Sequence, residues 1–178
     1  MHTEPQSTSK PAMDADTLEF IRGLFNLVRE GDTEQLTALV AKGVPVNFRN
    51  EKGDSLIMLA TYHGHLGTSR ILLEAGADPN VANDQGQTPL AGVAYKGYLE
   101  IAELLLQHGA NVEGASPDGK TPLMMAAMFN RQAILELLLA KGARIDAIDS
   151  RGMTAVSLAK MMNAADTLAH LTALGQQA

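Results

Sequence analysis

The chain has 178 residues, a formal charge of −6 and 46% apolar residues, a balance that suits a packed protein and excludes a wholly disordered one. Its 14 basic residues are scattered among 20 acidic ones, which excludes nucleic-acid binding as its main role, and no apolar run approaches the roughly 20 residues of a transmembrane helix. Cysteine is absent, so disulfides, thiolate zinc sites and thiol nucleophiles are excluded as well.

Residues 1–12 are polar, contain Pro5 and Pro11, and have none of the apolar core that a secretion signal requires. Residues 1–16 are expected to form a disordered tail, and the protein to stay in the cytoplasm. From residue 17 the sequence repeats every 33 residues. Gly53, Gly86, Gly119 and Gly152 form one ladder, and Gly43, Gly76, Gly109, Gly142 and Gly175 a second. Gly31, Gly64, Gly97, Asn130 and Asn163 form a third, whose two departures are both Asn, the residue that after Gly best tolerates left-handed backbone. The expected division is a single domain, 17–178, of five units: 17–49, 50–82, 83–115, 116–148 and 149–178.

Within the units, Ser55, Thr88, Thr121 and Thr154 supply a hydroxyl able to cap a helix, and Pro89 and Pro122 follow at the first helical position. An apolar stretch then runs to the Gly/Asn ladder, which stops the first helix. A second helix is predicted over 65–74, 99–108 and 131–140. Leu104, Leu105 and Leu106, or Leu137, Leu138 and Leu139, supply its buried side, the second glycine ladder ends it, and an extended turn closes the unit. The first unit lacks the Thr-Pro start and carries Glu19, Arg22, Arg29 and Glu30. The last carries Asp166, Thr167, His170 and Thr172. Both patterns suit terminal units whose outer faces meet water.

Residues 86–110, GQTPLAGVAYKGYLEIAELLLQHGA, and 119–143, GKTPLMMAAMFNRQAILELLLAKGA, resemble the ankyrin repeat. The resemblance covers about 17–178 and implies an all-α solenoid of helix–turn–helix units joined by extended, β-turn-like loops. The family's usual His after Thr-Pro-Leu is replaced by Met58, Ala91, Met124 and Ser157, and residues 55–57 read Ser-Leu-Ile. The loss of that bracing side chain is expected to loosen the loops. A short array without a fused domain looks like a small bacterial ankyrin protein. The resemblance implies as partner another protein, such as a co-encoded enzyme or toxin that it regulates or neutralises.

Few residues suggest chemistry. His63 and His65 flank Gly64, but two His without a third ligand make an incomplete metal site. His65 is expected to be structural, and His108 to suit the dipole at a helix C-terminus. Asp78, Asp84, Asp118, Asp146 and Asp149 are expected to hold successive turns through backbone N–H groups. Met124 and Met125 are expected to fill the core. Lys120, Lys141, Arg144 and Arg151 gather late in the chain and offer a local patch to an acidic partner. No catalytic residue, cofactor or metal is expected. The rival readings are a spacer without a specific partner and a metal-dependent enzyme built on His63.

The positions just before the third ladder carry the functional expectation. They read Arg29-Glu30, Tyr62-His63, Tyr95-Lys96, Met128-Phe129 and Met161-Met162, a stripe that begins charged and becomes aromatic and apolar. Neighbouring repeats place such positions about 10 Å apart. Aromatic and Met side chains are enriched at interface cores. A monomer is expected to bind its partner protein through Tyr62, His63, Tyr95, Lys96, Met128 and Phe129. The rim is expected from turn-tip residues Glu51, Lys52, Asp84, Gln85, Gln87, Asp118, Lys120 and Arg151. Met161 and Met162 are expected to be packed into the end of the array.

Overall fold

A hydroxyl or carboxylate starts each of the five first helices among the described residues. Met58, Ala91, Met124 and Ser157 donate their backbone N–H to Ser55, Thr88, Thr121 and Thr154 at 3.2–3.3 Å, and Ser157 returns a bond to the Thr154 N–H. The computed structural model describes residues 14–175, and the tail expected at the N-terminus lies outside them up to residue 13. Residues 14–16 are helical or capping instead. Asp14 accepts from the Thr17 N–H at 2.8 Å and from its hydroxyl at 2.7 Å, so the first helix starts two residues before the expected boundary.

Ten helices follow in pairs among the described residues. They are α1 (Ala15–Glu30) and α2 (Thr33–Ala41), α3 (Leu56–Tyr62) and α4 (Leu66–Glu74), α5 (Pro89–Lys96) and α6 (Leu99–Gln107), α7 (Pro122–Met128) and α8 (Gln132–Ala140), and α9 (Ala155–Met161) and α10 (Ala165–Gly175). No strand is present there, only a single antiparallel bridge between Arg49 and Ser55. The first helices α1, α3, α5, α7 and α9 stack in one row, and the second helices in another. The result is an all-α solenoid. Its core runs the length of the array, and Leu72, Leu105, Leu138 and Leu171, 33 residues apart, are each fully buried. Burying one such side chain contributes about 1.5–3 kcal/mol.

Asn130 and Asn163 adopt φ of 55° and 54°, the only positive φ values outside glycine among the described residues. The third ladder therefore keeps its left-handed backbone through both substitutions. Gly175 breaks the second ladder, because it closes α10 rather than following it in a left-handed turn.

The last unit departs from expectation twice. Thr167 does not face water. It is fully buried and its hydroxyl donates to the Ala127 carbonyl at 2.8 Å, which ties α10 to the preceding unit. Met161 and Met162 are not packed away either, being 51% and 44% exposed, since no sixth unit covers that end of the row among the described residues.

Candidate functional site

Side-chain hydrogen bonds hold the turn tips in the absence of the family's usual His. Asn50 Oδ1 accepts the N–H groups of Lys52 and Asp54 at 2.9 Å. Asn83 Oδ1 does the same for Gln85 and Gln87, and the buried Asp149 for Arg151 and Met153. These three loops are thus each held by a side chain of their own first residue, where the family's usual His is missing. The Met153 N–H, ahead of that of Arg151, holds the Asp149 carboxyl below the usual carboxylate range, against the opposing effect of burial. Lys120 and then Ser116 hold Asp118 down at about 2. Asp146 is held low by its pair with Arg144, while Asp78 accepts from the Asn80 N–H at 2.9 Å.

Bonds between units fix the spacing of the tips. Asn47 accepts from the Asp78 N–H at 3.0 Å and donates to the Gly76 carbonyl at 3.1 Å. Asn80 repeats both bonds with Asn111 and Gly109. Glu113, next in that column, keeps only the acceptor half, taking the Arg144 N–H at 2.7 Å. Nearer the tips, the Asp84 N–H reaches the Lys52 carbonyl at 3.1 Å and the Ser150 N–H reaches that of Asp118 at 2.9 Å. Pro117 occupies the intermediate place, has no N–H to give, and packs on Gly86 instead.

At the opposite end of the first helices, each unit leans on the left-handed glycine of the previous one. A Cβ on Gly31 would lie 2.5 Å from the His65 ring, one on Gly64 3.0 Å from Tyr98, and one on Gly97 2.9 Å from Arg131. His65 Nε2 bonds the Arg29 carbonyl at 2.7 Å, and Arg131 Nε donates to that of Tyr95 at 3.1 Å. His65 is structural in this sense. His63 is exposed, and its imidazole pKa is lowered by partial burial first and then by His65, Arg29 and Lys96. A surround of cations disfavours a metal ion. Among the described residues no three His, Asp or Glu side chains cluster as metal ligands would.

Between tips and glycine ladder lies a groove of about 1130 Å³. Tyr62, His63, Tyr95, Met128 and Phe129 line it from the helices, and Lys52, Asp84, Gln85, Gln87, Asp118 and Lys120 from the tips. The Tyr95 and Phe129 rings meet edge to face at 4.5 Å between centroids. Lys96 lies outside the lining, with Nζ 4.3 Å from the centroid of the Tyr62 ring. Glu51 and Arg151 are not brought into the groove, and Arg151 instead pairs with Asp149 at 3.4 Å. The lining also contains Met58, Gly92, Pro117 and Met125, which the column before the third ladder does not include.

The family model for ankyrin repeats (3 copies) matches residues 24–115 and 111–177. The chain belongs to the ankyrin repeat family, whose repeats are in general protein–protein interaction modules. Over 62 residues it is 55% identical to a Pseudomonas aeruginosa protein named for its ankyrin repeats. That match covers 35% of this chain and 36% of the relative, so the chain spans little more than a third of the relative's length. No helix among the described residues is long and apolar enough to cross a membrane.

Proposed function

We propose that the chain is a non-catalytic binding protein whose partner, another protein, docks in the groove between the turn tips and the third ladder. The observation that carries this reading is the composition of that groove. Its floor holds two tyrosines, Phe129 and three methionines on or at the ends of short helices, and its rim is polar. Such rings bury much area while losing little rotamer freedom, which suits binding hot spots. The cationic setting of His63 supports a reading without metal chemistry. The partner proposed is a co-encoded enzyme or toxin that the chain regulates or neutralises, the class implied by the likeness to small bacterial ankyrin proteins. The chain is proposed to act as a monomer in the cytoplasm.

The test is affinity capture from a lysate of the native host with immobilised full-length chain, read by quantitative mass spectrometry beside a Tyr95→Ala/Phe129→Ala variant. A protein retained by the first and lost by the second supports the reading. Equal retention by both refutes it.

A further inference from the structure

We propose that the row of turn tips is hinged at one seam, between Gly86 and Pro117, and that the groove widens and narrows there. The tips at 50–54 and 83–87 move as one body, and those at 116–120 and 149–153 as another. This goes beyond the docking reading and stands whether or not a partner uses the groove.

Hydrogen bonds divide the row. All four tips share one backbone frame, in which the Asn83 N–H, for instance, meets the Gln87 carbonyl at 3.0 Å and the Ser116 N–H that of Lys120 at 3.1 Å. The first two tips are tied together by the Asp84 N–H on the Lys52 carbonyl and by the Asn83 amide on the Asp54 carboxylate at 2.9 Å. Arg49 adds bonds to the Ala82 carbonyl at 3.0 Å and to Asp84 at 3.2 Å. The last two tips are tied by the Ser150 N–H on the Asp118 carbonyl, and they sit close, since a Cβ on Gly119 would lie 3.0 Å from the Asp149 Cα. Between the second and third tips no hydrogen bond is present among the described residues. Pro117 stands in the column where Asp84 and Ser150 give their N–H, and it offers Gly86 a ring instead.

The third tip also turns its side chains inward. Asn50, Asn83 and Asp149 each accept two backbone N–H groups, whereas Ser116, in their column, donates its hydroxyl to the Asp118 carboxylate, with which Lys120 also pairs. Both charged side chains are thereby spent within the tip and none reaches across to residues 83–87. At the base of the loops the two halves stay joined. Asn80 accepts from the Asn111 N–H at 2.7 Å and donates to the Gly109 carbonyl at 3.0 Å, Thr88 donates to the Gly114 carbonyl at 3.5 Å, and α5 stacks on α7. Two halves anchored at the base and unbonded at the tips turn about the base, as hinges at loop residues do. Asp84, Gln85 and Gln87 line the groove on one side of the seam and Pro117, Asp118 and Lys120 on the other, so the turn alters its width.

The test is backbone-amide relaxation-dispersion NMR on the full-length chain, which reads motion on the μs–ms scale of hinges. Wild type is compared with Pro117→Ser, which returns an N–H where the last tip already carries Ser150, and with Ser150→Pro, which removes the bond between the last two tips. Urea unfolding verifies that each variant is folded. In the wild type, Gly86, Gln87, Ser116 and Asp118 should show dispersion, while Lys52 and Arg151, away from the seam, stay flat. Pro117→Ser should abolish the dispersion at the seam. Ser150→Pro should keep it and add a second set at Asp149 and Arg151. Flat profiles at the seam in the wild type, dispersion spread evenly over all four tips, or dispersion that survives Pro117→Ser overturn the proposal. None of these outcomes bears on the docking reading, which capture with the Tyr95→Ala/Phe129→Ala variant decides.

Discussion

Replacing Asn130 with Gly would complete the third glycine ladder, yet the structure predicts that it destabilises the protein. Asn130 does more than accept a φ of 55°. Its Oδ1 receives the N–H groups of Asp166 at 3.0 Å and Thr167 at 3.1 Å, and its Nδ2 donates to the Asp166 carboxylate at 2.7 Å. Ala164, which precedes α10, has no side-chain acceptor, so this cap comes from the unit before. Losing a helix cap costs about 1 kcal/mol, within a range of roughly 0.5–2. Glycine adds about 0.4–1 kcal/mol by freeing the unfolded chain, partly offset by relief of left-handed strain. The net expectation is a loss of about 1–2 kcal/mol. With a urea slope of about 2 kcal/mol/M, the midpoint should fall by roughly 0.5–1 M at unchanged slope. Asn163 is the control. It has a φ of 54° and no side-chain bond among the described residues, so Asn163→Gly should change stability by less than about 0.5 kcal/mol. Equal midpoints for the two variants would refute the capping role.

Thr68 and Thr167 occupy one column with Ile101 and Ile134, and they should respond to valine in opposite directions. The buried Thr68 hydroxyl has no partner among the described residues, so Thr68→Val is expected to stabilise by about 1 kcal/mol, whereas Thr167→Val breaks the bond to the Ala127 carbonyl and should cost about 1 kcal/mol, both readable in urea melts. Asp149 has a lowered carboxyl pKa in the folded state, so its stabilisation is fully present above the unfolded value near 4 and is lost as pH falls through the folded value. Asp149→Asn keeps the turn acceptor that Asn50 and Asn83 use, so its stability relative to wild type should rise between pH 5 and pH 2, and a constant difference across that window would contradict the assignment.

Backbone requirements were the most legible part of the sequence, because they recur at fixed spacing. Thr88 before Pro89 and Thr121 before Pro122 mark helix starts, and Asn in a glycine ladder announces left-handed backbone. Contacts between units were not legible. Nothing in the repeat pattern singles out Asn47 and Asn80, whose partners lie 29 and 31 residues away. Asn130 hides a second duty behind the first, since its left-handed backbone suffices to explain it. Thr167 looks like a solvated cap residue, and only the stacked neighbour reveals the carbonyl that makes its burial tolerable. The aromatic members of the groove were legible as a column of bulky side chains. Gly92 was not, because its place in the groove lining is defined by Met58, Tyr62 and Met125 around it rather than by any residue pattern of its own.

Calorimetry with the captured partner tests the docking reading most directly. Tyr95→Ala and Phe129→Ala should each weaken the complex by about 2 kcal/mol, roughly thirtyfold in Kd, and less than additively together because the two rings touch. The exposed Glu103→Ala, on α6, should leave affinity unchanged. Leu105→Ala should cost about 2–5 kcal/mol of stability, far more than either ring variant. Full affinity after truncating Tyr62, Tyr95 and Phe129 together would show that these side chains only pack against one another and that the partner binds elsewhere.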